Sequence, residues 1–282
     1  MKSAGRDYET AGRGVAAGDT VLLADVGNSR IKLARMEVAA GPIGLCSIGR
    51  RQDLDSHSFR PENLDRWLLA AAPGPAVVLV ASVSDAVAAR LEAALAEISA
   101  TRHRPIRQRR VGHADLPLEV RLPEPHRVGI DRLAGAAASG LVRPPATPCV
   151  LIDCGTAATV DLVSAEGAFL GGAILPGPAL MARCLAAGTS RLPVVAAVDQ
   201  GRPPPLPGRT TEEAIAAGIG FGALGAIARL EAEARRVLGP GAVTILTGGG
   251  RAAVRPAVPE AIEVPDLVLA GIALAAARAC AR

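Results

Sequence analysis

The sequence predicts an α/β protein built from two similar halves. Residues 21–32 read VLLADVGNSRIK, and residues 150–161 read VLIDCGTAATVD. Each segment is an apolar run that ends at an Asp, followed two residues later by a Gly and then by a second strand-like stretch. In both halves the strands come first and then alternate with helical segments, which is the order expected of a duplicated α/β unit.

The two Asp-x-Gly turns also indicate phosphate binding. A Gly permits a tight turn where a side chain would block a ligand. Backbone N–H groups in such a turn can face an anion, and a nearby hydroxyl or amide adds a donor. One such turn is usually an ordinary hairpin, but two in the same context favour two lobes that hold a polyphosphate between them.

Apolar periodicity predicts the elements of the first half. Residues 76–81 are continuously apolar, as in a strand that is buried on both faces. Residues 84–99 are amphipathic and begin at Ser84, a candidate N-cap. Trp67 lies on the apolar side of a short helix that starts with Pro61. The predicted elements are strands at 21–25, 31–36, 43–48 and 76–81, and helices at 61–72, 84–99 and 130–142.

The second half repeats the scheme after a break. The segment RPPATP at 143–148 ends the preceding helix and predicts a linker. The predicted strands lie at 150–153, 159–163, 168–175 and 242–247, and the helices at 178–187, 211–238 and 266–281. A loop is expected at 202–207, and the glycines of 211–238 favour an interruption of that helix. The domains are then a disordered leader (1–18), a first lobe (19–142) and a second lobe (148–282).

Composition and charge restrict the classes of partner. Only five residues are aromatic, which disfavours single-stranded nucleic acid because bases need stacking platforms. The basic run RHRPIRQRR at 102–110 could contact nucleic acid or an acidic partner, but we favour a solvated edge strand or loop. The uncharged runs 214–228 and 267–277 are shorter than the ~20 residues of a membrane span. No membrane partner and a cytoplasmic location are therefore expected.

Two sites outside the glycine turns carry candidate chemistry. Lys2 and Lys32 are the only lysines among 31 cationic residues, so Lys32, placed just after the first turn, stands out. A lysine ammonium is a compact point charge that suits a phosphate oxygen. Asp131 and Arg132 lie where a helix begins, and a helix N-terminus favours the ionised carboxylate. Taken alone, Asp131 is better interpreted as an ordinary first-turn residue that neutralises the helix dipole.

The chain resembles one known family along nearly its whole length, from about residue 20 to about residue 275. The matching residues are Asp25, Gly27, Asn28, Ser29 and Lys32; Gly129, Asp131 and Arg132; Asp153, Gly155, Thr156, Ala157, Thr159 and Asp161; and the segments 171–177 and 211–215. They are similar, in type and order, to the motifs of the type III pantothenate kinases. These enzymes belong to the acetate and sugar kinase/Hsp70/actin superfamily. The resemblance implies two ribonuclease H-like, actin-like lobes with a nucleotide cleft between them.

The resemblance also implies a reaction and a set of roles. The reaction is ATP-dependent phosphorylation of pantothenate to 4′-phosphopantothenate, the first step of coenzyme A synthesis, with Asp131 as the general base. Magnesium would be oriented by Asp25 through water, and Asp153 would help bind a monovalent cation, K⁺ or NH₄⁺. The implied partner is a second copy of the chain, with the second lobe supplying most of the interface. The implied ATP-binding residues are Asp25, Val26, Gly27, Asn28, Ser29, Arg30, Ile31, Lys32 and Thr156. The implied pantothenate-binding residues are Leu122, Gly129, Ile130, Asp131, Arg132 and Thr211.

Leu122 is a departure from the family pattern, and two alternative functions stay open. The family usually has a Tyr nine residues before the catalytic Asp, where it is thought to line the pantothenate pocket, and this chain has Leu122. A non-catalytic or moonlighting transcriptional accessory factor could use the same scaffold, but retention of Lys32, Asp131 and Thr156 argues against it. A sugar kinase would keep the glycine turns without the Gly-Ile-Asp-Arg segment.

Overall fold

A computed structural model of the chain describes residues 20–38, 46–196 and 205–280. The predicted leader at 1–18 lies outside the described residues. The strands are β1 Thr20–Val26, β2 Arg30–Val38, β3 Cys46–Asp55, β4 Ala76–Ser82, β5 Ile106–Arg110, β6 Cys149–Cys154, β7 Ala157–Val163, β8 Phe169–Pro176, β9 Val243–Thr247 and β10 Ile262–Glu263. The α-helices are α1 Pro61–Ala71, α2 Asp85–Thr101, α3 Ile130–Ser139, α4 Pro178–Ala187, α5 Thr211–Leu238, α6 Arg251–Val254 and α7 Leu267–Cys280.

The two halves form five-stranded sheets with the same connectivity. The strand orders are β3-β2-β1-β4-β5 and β8-β7-β6-β9-β10. In each sheet the first three strands form an antiparallel meander, and the last two run parallel to the first strand. This repeat of one topology confirms the predicted duplication and the two actin-like lobes.

Alternation along the strands gives each sheet an outer and an inner apolar face. On the outer face of the first sheet, Leu22 and Val78 pack with Leu68 and Leu91 of α1 and α2. On the outer face of the second sheet, side chains of β6 and β9 pack with Ile227 of α5 and with residues around α6. The inner faces of the two sheets are directed toward each other.

Helices α3 and α7 fill the space between the two inner faces. One apolar cluster joins Leu23 of β1, Leu133 of α3, Leu151 of β6 and Leu269 of α7. The two helices touch closely, since a Cβ at Gly271 would overlap the backbone of α3. Helix α7 comes from the second half of the chain and also packs on β1 of the first. The proposed domain limits at 142 and 148 stay a prediction.

Most predicted elements are confirmed, and the differences have physical causes. Strand β3 extends to Asp55, beyond the predicted 43–48, through a polar segment that suits the edge of a sheet. Positions 43–45 lie outside the described residues. Helix α3 ends at Ser139 rather than at 142, followed by Gly140. Helix α5 is continuous through its glycines because it packs on α4 and on the second sheet. Ser84 is the N-cap of α2, but its side chain makes no capping hydrogen bond.

The basic run at 102–110 forms the edge strand β5 and the turn before it. Its buried member, Arg104, donates hydrogen bonds to the carbonyl groups of Leu68 and Ala72 at the end of α1. Ion pairs join Arg102 to Asp65, Arg109 to Asp115, and Arg110 to Asp85 and Glu92. These contacts fit the edge-strand interpretation, while the lack of a nucleic-acid partner stays a prediction.

Helix α5 is the one helix in the described parts of the chain that could cross a membrane by length and composition. It is 28 residues long and therefore extends beyond the uncharged run at 214–228. Its inner side packs into the second lobe through Ile215, Ile227 and Ala234. Since core helices meet the same criteria, the feature is weak support for a membrane span.

Candidate active site

Two of the charged residues singled out in the sequence, Asp25 and Asp153, lie on the inner faces of the sheets, where the central strands end. In β1, Leu22 and Ala24 point outward, so Asp25 shares the inner face with Leu23. In β6, Ile152 points outward, which leaves Asp153 on the inner face. The duplicated fold therefore directs two aspartates, one from each lobe, into the space between the sheets.

The first glycine turn joins β1 to β2 and places a cation beside Asp25. The backbone N–H of Gly27 donates to the Arg30 carbonyl at 2.9 Å, which closes the turn. Register pairs Asp25 with Lys32 across the hairpin, and Lys32 Nζ lies 3.3 Å from Asp25 Oδ2. The Ser56 hydroxyl donates to the Gly27 carbonyl at 2.8 Å and supports the turn from the end of β3. The hairpin itself thus builds the Asp25–Lys32 ion pair.

The second turn is one residue shorter and meets the first. Here the Gly155 N–H donates to the Ala157 carbonyl at 2.9 Å. The hydroxyl of Thr156 donates to the hydroxyl of Ser29 at 2.8 Å, so the two turns touch across the lobes. Gly177 packs against the Thr156 backbone, where a Cβ would come within 2.9 Å of its carbonyl oxygen. Two hydroxyls and two glycine turns therefore lie together at the place predicted to hold phosphates.

A third glycine segment closes the same end of the second sheet. Gly248 follows β9 with φ +92°, a conformation that favours glycine, and its missing Cβ leaves room for Asp153. The Gly250 N–H donates to the Cys154 carbonyl at 2.7 Å. A Cβ at Gly249 would lie 3.7 Å from Arg30 Nη1, so this segment borders the first turn.

Asp131 and Arg132 enter the site from the N-terminus of α3. The backbone N–H of Arg132 donates to Asp131 Oδ1 at 2.8 Å, as expected for a carboxylate in the first turn of a helix. A Cβ at Gly129 would lie 2.6 Å from Asp131 Oδ1, so the glycine makes room for the carboxylate. Because α3 lies between the sheets, its first turn faces both aspartates at the strand ends.

Asp161 is a functional candidate to which the sequence reasoning gave no role. It lies on β7 with no exposed surface, and it forms an ion pair with Arg132. Arg132 Nε lies 3.0 Å from Asp161 Oδ1 and 3.2 Å from Oδ2, and Nη2 also contacts Oδ1. The sequence did mark Asp161 as the last Asp of the 153–161 motif. Its pairing with Arg132 of α3 is a tertiary contact, which the sequence alone does not show.

Burial governs the protonation of these carboxyl groups. It raises the pKa of Asp153 to about 7; Lys32 opposes the rise, while Asp25 and Asp131 add to it. Burial also raises the pKa of Asp131 above its ordinary value, against the opposing effect of the Arg132 backbone N–H and guanidinium. Burial likewise outweighs Lys32 at Asp25 and raises the pKa of that carboxyl. Burial alone would lower the pKa of Lys32, yet the neighbouring carboxylates Asp25 and Asp153 raise it.

The charges of the site suit an added cation. Its carboxyl groups belong to Asp25, Asp131, Asp153 and Asp161, whereas the cations that form ion pairs with them in the described part of the chain are Lys32 and Arg132, both partly buried. Within the described ranges no group of three or more His, Cys, Asp or Glu side chains is close enough to hold a metal ion by itself. This donor set fits Mg²⁺, which is commonly held by one or two carboxylates together with substrate phosphates.

The remaining predicted residues have varied positions. Val26 and Ile31 are core residues, so only their backbones can face a ligand, and Asn28 is exposed at the first turn. Leu122 is half-buried and packs beside Gly171, where a Cβ would lie 3.4 Å from Leu122 Cδ2. Thr211 is exposed at the start of α5. No hydrogen bond or ion pair in the described part of the chain joins Thr211 to the other candidate residues.

Comparison with solved structures is consistent with this fold. The chain superposes on a protein from Campylobacter jejuni, described as a Baf family transcriptional activator, with a TM-score of 0.54 and 19% identity. The superposition covers 90% of this chain and 96% of that one. A protein from Sinorhizobium meliloti, described as a 2-dehydro-3-deoxygalactonokinase, gives a TM-score of 0.51 at 20% identity, over 91% and 98% of the two chains. At these identities the likeness concerns the fold alone.

Comparison of sequences assigns the family. A sequence model described as type III pantothenate kinase matches residues 21–233. The type III pantothenate kinase of Rhodopirellula baltica is 42% identical over 168 residues, which are 58% of this chain and 59% of that protein. The chain spans less than two thirds of the length of the curated relatives that it matches. Because the family model covers most of the sequence, this chain belongs to the type III pantothenate kinase family.

Proposed function

We propose that this protein transfers the γ-phosphoryl group of ATP to the hydroxyl of pantothenate, giving 4′-phosphopantothenate and ADP. This would be the first step of coenzyme A synthesis, in the cytoplasm. The observation that carries the proposal is that the two glycine turns touch across the lobes, and that Asp131 lies close enough to Asp25 and Asp153, at the strand ends beside those turns, to help raise the pKa of both carboxyl groups. Family membership supports pantothenate as the substrate.

Asp131 is the proposed general base. As the substrate hydroxyl attacks the γ-phosphorus, its proton passes to the Asp131 carboxylate, and the bond from the γ-phosphorus to the leaving ADP oxygen breaks. Phosphoryl transfer needs alignment and charge neutralisation more than covalent help. Burial raises the pKa of Asp131, which makes the carboxylate a better proton acceptor.

The glycine turns are the proposed phosphate site. The Ser29 and Thr156 hydroxyls lie 2.8 Å apart and would turn their hydrogen bonds to phosphate oxygens when ATP enters. The positive charge of Lys32 would neutralise part of the phosphate charge, and Asp25 holds the Lys32 ammonium in place. Magnesium, when bound near Asp25, would neutralise further phosphate charge. Asp153 is the proposed contact for a monovalent cation, since its burial beside other carboxyl groups favours an added positive charge.

A homodimer through the second lobe is part of the proposal. On α5, a Cβ at Gly218, Gly222 or Gly225 would meet no atom within 4 Å, so this side of the helix is open. The same lobe exposes 44% of Phe221 and 62% of Ile174. Apolar side chains beside a row of small residues would let the same helix of a second copy approach closely.

Substrate-dependent ADP release tests the proposed activity. Pantothenate and a panel of sugars should be compared at equal concentration, with the phosphorylated product identified by mass spectrometry. The wild type should respond to pantothenate, and Asp131→Asn should lose that response. Asp85→Asn is a matched control, because the Asp85 side chain is 97% exposed and forms its ion pair with Arg110 rather than with a candidate residue of the site. A response to a sugar only would favour the sugar kinase alternative, and no turnover at all would favour the regulatory one.

A further inference from the structure

The inference concerns Asp161 and Phe169, two residues that neither touch the proposed phosphate site nor have a role in the proposed proton transfer. We infer that they hold the Arg132 guanidinium in one orientation, so that its free edge, formed by Nη1 and the second N–H of Nη2, is presented to the substrate carboxylate. The inference rests on the proposed function, because pantothenate supplies that carboxylate. Asp161 and Phe169 would then be positioning residues that set the preference for an acidic substrate.

The first observation is that the Asp161 carboxylate accepts hydrogen bonds from one edge of the Arg132 guanidinium. Arg132 donates to the carboxylate through Nε and Nη2, which form one edge of the guanidinium group. No hydrogen bond from Nη1 is present among the residues that the structure describes. A guanidinium has a fixed fork of donors, so occupying one edge determines where the remaining N–H groups point.

The second observation is that Phe169 covers the guanidinium. The Arg132 Cζ lies 5.4 Å from the centre of the Phe169 ring, within the range of a cation–π contact. Phe169 itself is fully buried. Its backbone is fixed by hydrogen bonds with Glu119 and Arg121, at 2.9 and 3.0 Å. The ring is thus a rigid surface that limits rotation of the Arg132 side chain.

The third observation is that the neighbouring strand makes room for this arrangement. Register pairs Asp161 with Gly172, and a Cβ at Gly172 would lie 2.5 Å from Asp161 Oδ1. The preceding residue, Gly171, lies beside Leu122, which the resemblance to the family places in the pantothenate pocket. Gly172 therefore makes room for the Asp161 carboxylate that holds Arg132. Gly171 borders the proposed substrate pocket.

Substrate preference is the readout that separates positioning from general stability. The KM for pantothenate is compared with the KM for panthenol, in which a neutral hydroxymethyl group replaces the carboxylate. The wild type should prefer pantothenate, and Asp161→Asn should reduce that preference by about tenfold or more, the scale of a charge-assisted hydrogen bond. The KM for ATP should change little. Adding Asp161→Asn to Arg132→Lys should cost no further preference, since both changes act on one group.

Thr244→Val is the matched control. Thr244 is a buried polar residue of the same sheet, bonded to Glu231 and Arg235 on α5 rather than to Arg132. This variant should lose stability but keep the preference for pantothenate. If Asp161→Asn does not fold, Phe169→Leu tests the same guanidinium from its covered face and should also reduce the preference.

The outcomes distinguish this inference from the proposed function. A wild type that phosphorylates neither compound overturns the proposed function and the inference with it. A wild type that prefers pantothenate, together with an Asp161→Asn or Phe169→Leu variant of unchanged preference, overturns the inference alone. An equal loss of preference in Thr244→Val would also overturn it, because the effect would then come from general loosening of the sheet.

Discussion

Replacing Asp153 with Asn should stabilise the protein while damaging its site. Burial raises the pKa of Asp153 from 3.8 to about 7, so the folded state binds this proton more tightly than the unfolded state does. Ionisation of Asp153 therefore costs stability: the cost is absent below pH 3.8, grows with pH, and is complete above about pH 7. Roughly three pKa units correspond to about 4 kcal/mol at pH 8 and to less than half of that at pH 5.

Thermal unfolding at these two pH values tests this reasoning. Asp153→Asn keeps the size of the side chain and removes the charge, so its Tm at pH 8 should exceed that of the wild type by roughly 10 °C. The gain should fall to a few degrees at pH 5, by about the ratio of the two energies. Asp85→Asn removes a carboxylate that is exposed and should give no such gain. An Asp153→Asn variant that is no more stable than the wild type at pH 8, or that gains equally at pH 5, would refute the argument.

Four further predictions concern activity and assembly. Asp131→Asn should lower kcat about 100-fold while ATP binding is kept, as measured by ADP release and nucleotide binding; near-normal turnover would remove Asp131 from the base role. Replacing K⁺ or NH₄⁺ by Na⁺ should slow the reaction if Asp153 contacts a monovalent cation, and equal rates would contradict that site. Leu122→Tyr should lower the KM for pantothenate up to about tenfold with little change in kcat, the value of one neutral hydrogen bond, and an unchanged KM would exclude that bond. Light scattering should give twice the 28.6 kDa mass of one chain, whereas a single-chain mass at micromolar concentration would contradict the dimer.

Strong local patterns made most of the fold predictable from the sequence. The continuous apolar run at 76–81 forms the buried strand β4, and the Asp-x-Gly pattern marks both hairpins. Strand β3 was predicted too short because its polar half has no apolar alternation, as is usual at a sheet edge. The continuity of α5 could not be read from its sequence either, since packing on α4 and β7 outweighs the low helix propensity of glycine.

Long-range contacts limit how much of the candidate site can be predicted from the sequence. Motifs located Asp25, Asp131 and Asp153 because each lies beside a glycine with a local conformational role. The pairing of Arg132 with Asp161 spans 29 positions and depends on how α3 crosses the second sheet, which no local pattern records. The Ser29–Thr156 hydrogen bond likewise exists only because the two lobes meet.

The layer formed by α3 and α7 has a consequence for how the protein folds during synthesis. The first sheet is complete once β5 has left the ribosome, and α1 and α2 can cover its outer face at once. Helix α3 can cover part of the inner face soon afterwards, but the part around Leu23 has to wait for Leu269 and the rest of α7. Part of the apolar surface thus stays open while residues 111–266, which lie between β5 and α7, are being made. Such a delay favours transient binding by chaperones over early, independent folding of the first lobe.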